Sequence, residues 1–263
     1  MELRATSLHD PEALRAADTL NDQAIEARFR SARESAWLGL GEFFPSLKVR
    51  AAHGITAGDK FNASSAAFDM ARTRLMQVLK DNGWRSVAIT SPTPQCGKSF
   101  FALNLAFSMA NLEDTRTVLM DMDLKDPSLA KMLDMSEASS MEAFLRAEIG
   151  ASTLLRRCGR NLAIGANSTP SLFSAEILQS AAAAKMLKSI LQEVSPDVVL
   201  YDMTSMFARD DVLAFLPNVD CTIIVAAAEQ STFAEVDICE RQLAERTNVV
   251  GVILNKCRYN PGY

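Results

Sequence analysis

Residues 90–99 read Thr-Ser-Pro-Thr-Pro-Gln-Cys-Gly-Lys-Ser, and the reading of this stretch decides the fold. Gly97, Lys98 and Ser99 form the end of the pattern G-x-x-x-x-G-K-[ST], in which backbone N–H groups and a lysine hold phosphate oxygens. Pro92 stands where that pattern has its first glycine, and Gln95 occupies a position where many such loops carry another. Three matching residues decide little, so the flanks must carry the argument.

On the amino-terminal side, SVAIT at 86–90 is a short apolar run, preceded by SAAFDMARTRLMQVLKDN at 65–82, whose spacing predicts a helix stopped by Gly83. On the other side, FFALNLAFSMANL places apolar residues at helical intervals. Strand, loop and helix in that order are the context a phosphate loop requires. The alternation then continues through TVLMDMDL at 117–124, NLAIGA at 161–166, DVVLYDM at 197–203, CTIIVAAA at 221–228 and VVGVILN at 249–255. Helical stretches separate them: SLAKML, SAEILQSAAAAKMLKSILQEV and FAEVDICERQLAER. Near-continuous apolar strands alternating with helices predict an α/β fold, a doubly wound and mainly parallel sheet covered on both faces.

The whole chain of 263 residues suits one such domain with an extra segment. With 48% hydrophobic and 22% charged residues it has a globular composition, and its net charge of −5 argues against a general nucleic-acid binder. No apolar run approaches the roughly 20 residues of a membrane span, and the first residues lack a signal-peptide core, which predicts a cytoplasmic protein. The five cysteines are widely spaced, as expected of reduced thiols, and two histidines, His9 and His53, argue against a histidine metal site. Residues 1–62 read as an N-terminal helical extension and linker, in which Phe43, Phe44 and Leu47 are placed to dock on this chain or on a partner. Residues 63–258 read as the nucleotide domain and 259–263 as a short tail containing Tyr259 and Tyr263.

In a parallel sheet, ligands bind beyond the carboxyl ends of the strands. Asp121, Asp123 and Asp202 fall there, and an acid closing a buried strand beside Gly-Lys-Ser is placed to hold Mg²⁺ through water. The charge chemistry assigns Lys98 to the β and γ phosphates, Ser99 to direct metal ligation and Asp202 to a metal-bound water. Asp123 is a further metal candidate, and either Asp121 or Asp123 is left as the base. Pro94, Gln95, Cys96, Gly97, Lys98, Ser99 and Phe100 form the expected nucleotide-binding loop. Asn255, ending the last strand, is placed either to read an adenine edge or to cap a helix.

Three segments together resemble the cytoplasmic domain of the bacterial tyrosine kinases, P-loop proteins that regulate capsular and exopolysaccharide export. SVAITSPTPQCGKSFFALNLA is similar to the family's Walker A, TVLMDMDLKDPSL to its second acidic motif, and PDVVLYDMTSMFARDDVLAF to its Walker B. NLAIGANSTPSLFSAEILQS and VVGVILNKCRY add weaker matches, and the resemblance spans about residues 66 to 259. It implies the deviant Walker A fold shared with plasmid-partition and septum-site ATPases. It also implies ATP and Mg²⁺ as cofactors, autophosphorylation on Tyr259 and Tyr263, and self-association between subunits. The implied partner is a separate inner-membrane polysaccharide co-polymerase, with the membrane reached only through it. A nucleotide-dependent regulatory ATPase or partner-binding module of the partition type is the competing expectation.

The chain departs from the family at several positions. Gln95 replaces a glycine, and of the Glu-x-x-Arg-x-x-Arg ring contact, aligned with Ala66, Asp69 and Arg72, only Arg72 survives. Lys125 replaces an arginine, Met203, Thr204 and Ser205 stand in place of a proline pair, and the tyrosine cluster is reduced to two.

Overall fold

The computed structural model describes residues 31, 33–57 and 63–258. The chain divides into two compact units between Gly39 and Leu40; residues 33–38 of the first are helical. The second unit is built on an eight-stranded sheet: β1 (Gly41–Glu42), β2 (Ser86–Thr90), β3 (Thr117–Asp121), β4 (Arg156–Cys158), β5 (Leu162–Gly165), β6 (Val198–Asp202), β7 (Cys221–Ala227) and β8 (Asn248–Asn255). Their spatial order is β1-β4-β5-β3-β6-β2-β7-β8, and every pairing is parallel except β4 with β5. β3, β6 and β7 are buried along their whole length, which is why they read as apolar runs without alternation. The expected doubly wound fold is observed.

The helix Lys98–Met109 follows the phosphate-type loop, and every residue from Phe101 to Met109 is buried. It lies between the sheet and the helix Ala63–Asn82, so its stretch from Phe101 to Met109 is apolar on all sides apart from Asn104 and Ser108. Phe68 of the outer helix packs edge-on against Phe100, with ring centroids 5.8 Å apart.

The division expected near residue 62 falls elsewhere, because residues 40–57 belong to the sheet unit. β1 adds a parallel strand to β4, and Arg157 pairs with Glu42 across it. The chain then runs through the helix Leu47–Ala52 onto the helix Lys98–Met109. There the buried Asn104 amide is filled by backbone: Oδ1 accepts from the N–H of Thr56 (3.0 Å) and Ala57 (3.2 Å). Its Nδ2 donates to the carbonyls of Gly54 (3.2 Å) and Phe100 (3.0 Å). The Arg50 guanidinium lies 4.7 Å from the Phe107 ring centroid and also donates to Ala57 O at 2.8 Å. Ile55 and Ala57 join the core through this contact, whereas Phe44 and Leu47 stay exposed.

Candidate functional site

The loop between β2 and the helix Lys98–Met109 is held in place from three strands. Thr90 Oγ1 donates to Thr204 O at 2.7 Å, and the N–H groups of Met206 and Phe207 donate to Ser91 O and Pro92 O at 2.8 and 3.1 Å. From the β7 side, Gln230 Nε2 donates to Pro94 O at 3.0 Å, and the Cys96 thiol lies 3.5 Å from Ser231 Oγ. From β8, Asn255 Nδ2 donates to Cys96 O at 2.9 Å. The side chain of Asn255 is thus built into the loop's support.

Gly97 is the N-cap at φ 88°, with no side-chain hydrogen bond covering the helix start. The positive φ demands glycine, and a Cβ there would also lie 2.1 Å from Asn255 Nδ2 and push that amide off Cys96 O. The first N–H groups of a 12-residue helix are left facing outward, a ready anion site reinforced by the helix dipole. Gln95 also sits at positive φ, 63°, where the family resemblance places glycine. Pro94 and Gln95 are exposed and Cys96 is fully buried, so Cys96 offers the loop its backbone alone. Phe100 packs its ring against Gly54 and Phe68.

Lys98, the first helical residue, points its ammonium to Ser205 Oγ at 3.4 Å, and Ser99 Oγ accepts from Ser128 Oγ at 2.9 Å. The acids are brought together by the sheet. Asp121 and Asp202 are register partners on β3 and β6, both fully buried, and the Met122 N–H donates to Asp202 O at 2.8 Å. Asp121 Oδ2 takes the N–H groups of Ser128 and Leu129, both at 3.0 Å, anchoring the helix Leu129–Leu133. Its burial, and then the neighbouring Asp202 charge, push its carboxyl well above the ordinary range. Burial pushes Asp202 up as well, against the opposing pull of the Ser99 hydroxyl and the Lys98 ammonium. Neither oxygen of Asp202 completes a hydrogen bond within the protein. Asp123 lies just past the strand and is the one of the three that reaches solvent. Its burial raises its pKa, while the Asp126 N–H, donating at 3.2 Å, and Lys98 lower it.

The sheet edge therefore gathers Lys98, Ser99, Asp121, Asp123 and Asp202 around one helix start, with Asn255 behind the loop. Tyr259 and Tyr263 lie outside the described residues. Sequence reasoning gave no site role to Ser128, Ser205, Gln230 and Ser231, polar residues in loops that only the tertiary fold brings to the phosphate loop. Among the described residues no three His, Cys, Asp or Glu side chains converge to hold a metal by themselves, and no helix is long and apolar enough to cross a membrane.

No family model matches the chain. It is 28% identical over 198 residues to the succinoglycan biosynthesis transport protein ExoP of Rhizobium meliloti (strain 1021), a match covering 73% of this chain and 25% of that protein. Over 182 residues it is 24% identical to the tyrosine-protein kinase ptk of Acinetobacter johnsonii, covering 67% and 24%. The chain thus spans about a quarter of the length of these curated relatives. Of solved structures, the kinase domain of Escherichia coli tyrosine kinase ETK superposes with a TM-score of 0.70 at 21% identity, over 80% of this chain and 84% of that one. The septum site-determining protein MinD of Pyrococcus horikoshii OT3, complexed with Mg-ADP, superposes at 0.56 and 16% identity, over 67% and 72%. The fold is that of these P-loop proteins, and the chain resembles the bacterial tyrosine-kinase domains among them.

Proposed function

We propose that the chain is an ATP-dependent, autophosphorylating protein-tyrosine kinase that regulates exopolysaccharide or capsule biosynthesis and export. The observation that carries this reading is the open helix start at Gly97, flanked by Lys98 and by the fully buried Asp202 with both oxygens unfilled. A buried carboxylate without partners is costly unless something arrives to meet it. A hydrated divalent cation fits that need, and such a cation supplies neutralisation of phosphate charge when bound. Ser99 and Asp202 would hold it, Ser99 through its hydroxyl and Asp202 through water.

The residues divide the work of phosphoryl transfer. Backbone N–H groups of residues 95–99 and the Lys98 ammonium bind and orient the β and γ phosphates of ATP. Lys98 releases its contact with Ser205 to do so. Asp121 has one oxygen committed to the backbone of Ser128 and Leu129, so it serves as a structural anchor. Asp123 reaches solvent beside Lys98 and takes the proton from the acceptor hydroxyl as its oxygen attacks the γ phosphorus. Positioning and electrostatics supply most of the acceleration in such a reaction.

The acceptors are Tyr259 and Tyr263. Tyr201, the remaining tyrosine, is buried in β6 with its ring 4.9 Å from that of Phe215, and burial raises its hydroxyl's pKa. Tyr259 follows β8 so closely that a neighbouring subunit's ATP is easier to reach than its own, and transfer runs between molecules. The partner is an inner-membrane polysaccharide co-polymerase, at whose cytoplasmic side the protein works without touching nucleic acid.

Incubation with Mg-ATP, with and without the partner's cytoplasmic segment, is expected to yield phosphotyrosine. Lys98→Met is expected to abolish labelling of the variant alone and to weaken nucleotide affinity by calorimetry. Mixed with a protein lacking residues 259–263, the Lys98→Met chain should itself become labelled. Equal nucleotide affinity of wild type and Lys98→Met would sink the assignment of the site.

A further inference from the structure

A fourth carboxylate lies beside the site and belongs to none of the assigned roles. Asp211 opens the helix Asp211–Phe215 after β6 and is fully buried. Its Oδ1 accepts a hydrogen bond from the equally buried Ser174 hydroxyl at 2.8 Å, and its Oδ2 has no partner within the protein. The helix Ser174–Leu178 that carries Ser174 packs on the helix of Asp211. The segment leading into it is fixed next to Asp123, because the Ser171 N–H donates to Leu124 O at 2.7 Å. Asp211 is close enough to Asp123 for its charge to push the Asp123 carboxyl up.

A first-turn acid gains from the helix dipole, but that gain is small and available to an exposed side chain. It does not account for a carboxylate sealed in the interior with one oxygen empty, which costs free energy in the absence of a ligand. Asp202 shows the same signature from the neighbouring strand. Asp121, whose Oδ2 anchors Ser128 and Leu129, also keeps Oδ1 unfilled, so three buried carboxylates, Asp121, Asp202 and Asp211, surround Asp123 with open oxygens and call for a donor that comes with the ligand. Water bound to a divalent cation is such a donor, since Mg²⁺ keeps several waters and its outer-shell partners orient them.

We propose that Asp211 is a positioning residue for the Mg²⁺ of the nucleotide complex, its unfilled Oδ2 accepting a hydrogen bond from a water in the cation's shell while Ser174 fixes the carboxylate's orientation. This rests on the nucleotide-site reading above. Asp211→Asn keeps size and the Ser174 contact but removes the charge.

The test is a calorimetric titration of Mg²⁺ into protein saturated with ADP, together with thermal melting of the metal-free, nucleotide-free protein. Asp211→Asn is expected to weaken Mg²⁺ affinity about tenfold, while the metal-free protein melts no lower than wild type. Mg²⁺ affinity within about twofold of wild type would overturn the proposal, as would a drop in metal-free melting that accounts for the whole loss. Ser174→Ala leaves the charge in place and is expected to weaken Mg²⁺ affinity by a smaller factor. Should Asp211→Asn fail to fold, unchanged Mg²⁺ affinity in Ser174→Ala overturns the proposal. If the wild type binds no ADP, the nucleotide-site reading falls and takes this role with it; if it binds ADP and Mg²⁺ and only the variants match it, Asp211 alone is wrong.

Discussion

Gln95 shows how one side chain sets the condition of a loop. At φ 63° it holds a left-handed backbone that costs an ordinary L-residue about 1–2 kcal/mol. Its side chain is exposed, so nothing in the core offsets that cost. Glycine removes the steric term but loses more entropy on folding, by about 0.5–1 kcal/mol. Gln95→Gly is therefore expected to stabilise the protein by a net amount of up to about 1.5 kcal/mol, read as a shift in the denaturant midpoint. It should also tighten nucleotide binding, because a relaxed loop presents its N–H groups without distortion. A lowered midpoint would show that residue 95 is held by contacts stronger than its strain. Position 95 was legible as a departure from glycine in the sequence, and the structure adds that the left-handed conformation is retained despite it.

Between elements, the decisive relation is the register of β3 on β6, which sets Asp121 against Asp202 in the interior. Burial raises both carboxyls in the folded protein relative to the unfolded chain, with the Asp202 charge adding to the rise at Asp121 and the Asp123 charge to that at Asp202. The folded state then retains protons that the unfolded chain has released, so this contribution is complete below the unfolded carboxylate range and is lost as pH rises through the folded values. The nucleotide-free protein is expected to melt lower at about pH 8 than at about pH 6, and Asp202→Asn to flatten that slope. A slope unchanged by the substitution would place the titration elsewhere. The strand ends of 121 and 202 could be read from sequence because buried parallel strands write themselves as unbroken apolar runs. β1 and β4 could not: Gly41, Glu42, Arg156 and Arg157 pair through backbone and present no apolar period. For the same reason Asp211 escaped notice, since its place beside Asp123 comes from packing of two short helices and from no spacing along the chain. Asn255 was legible as a site residue, but its amide nitrogen is engaged with Cys96 O, which no local pattern announces.

At the scale of the molecule, Arg72 decides what surface is available for assembly. Its guanidinium donates to Asp69 Oδ1 at 2.9 Å, to Ser108 O at 2.9 Å and to Ser108 Oγ at 3.1 Å, tying the helix Ala63–Asn82 to the end of Lys98–Met109. With that residue engaged inside the chain, and with Ala66 and Asp69 at the other two aligned positions, the isolated protein is expected to be a monomer or dimer. Arg72→Ala should lower the melting temperature and leave the mass in solution unchanged. A stable ring in light scattering would contradict this. The placement of residues 40–57 also bears on how the protein can be cut into working fragments. A fragment beginning at Leu40 keeps the cover over Phe100, Asn104 and Phe107, whereas one beginning at Ala63 strips it and leaves β4 as an open edge. Such an edge invites pairing with another chain. The shorter fragment is expected to bind hydrophobic dye, melt without cooperativity and aggregate, and the longer to melt as sharply as the whole. Residues 40–57 thus count as part of the sheet unit, and limited proteolysis is expected to spare residues 41–57.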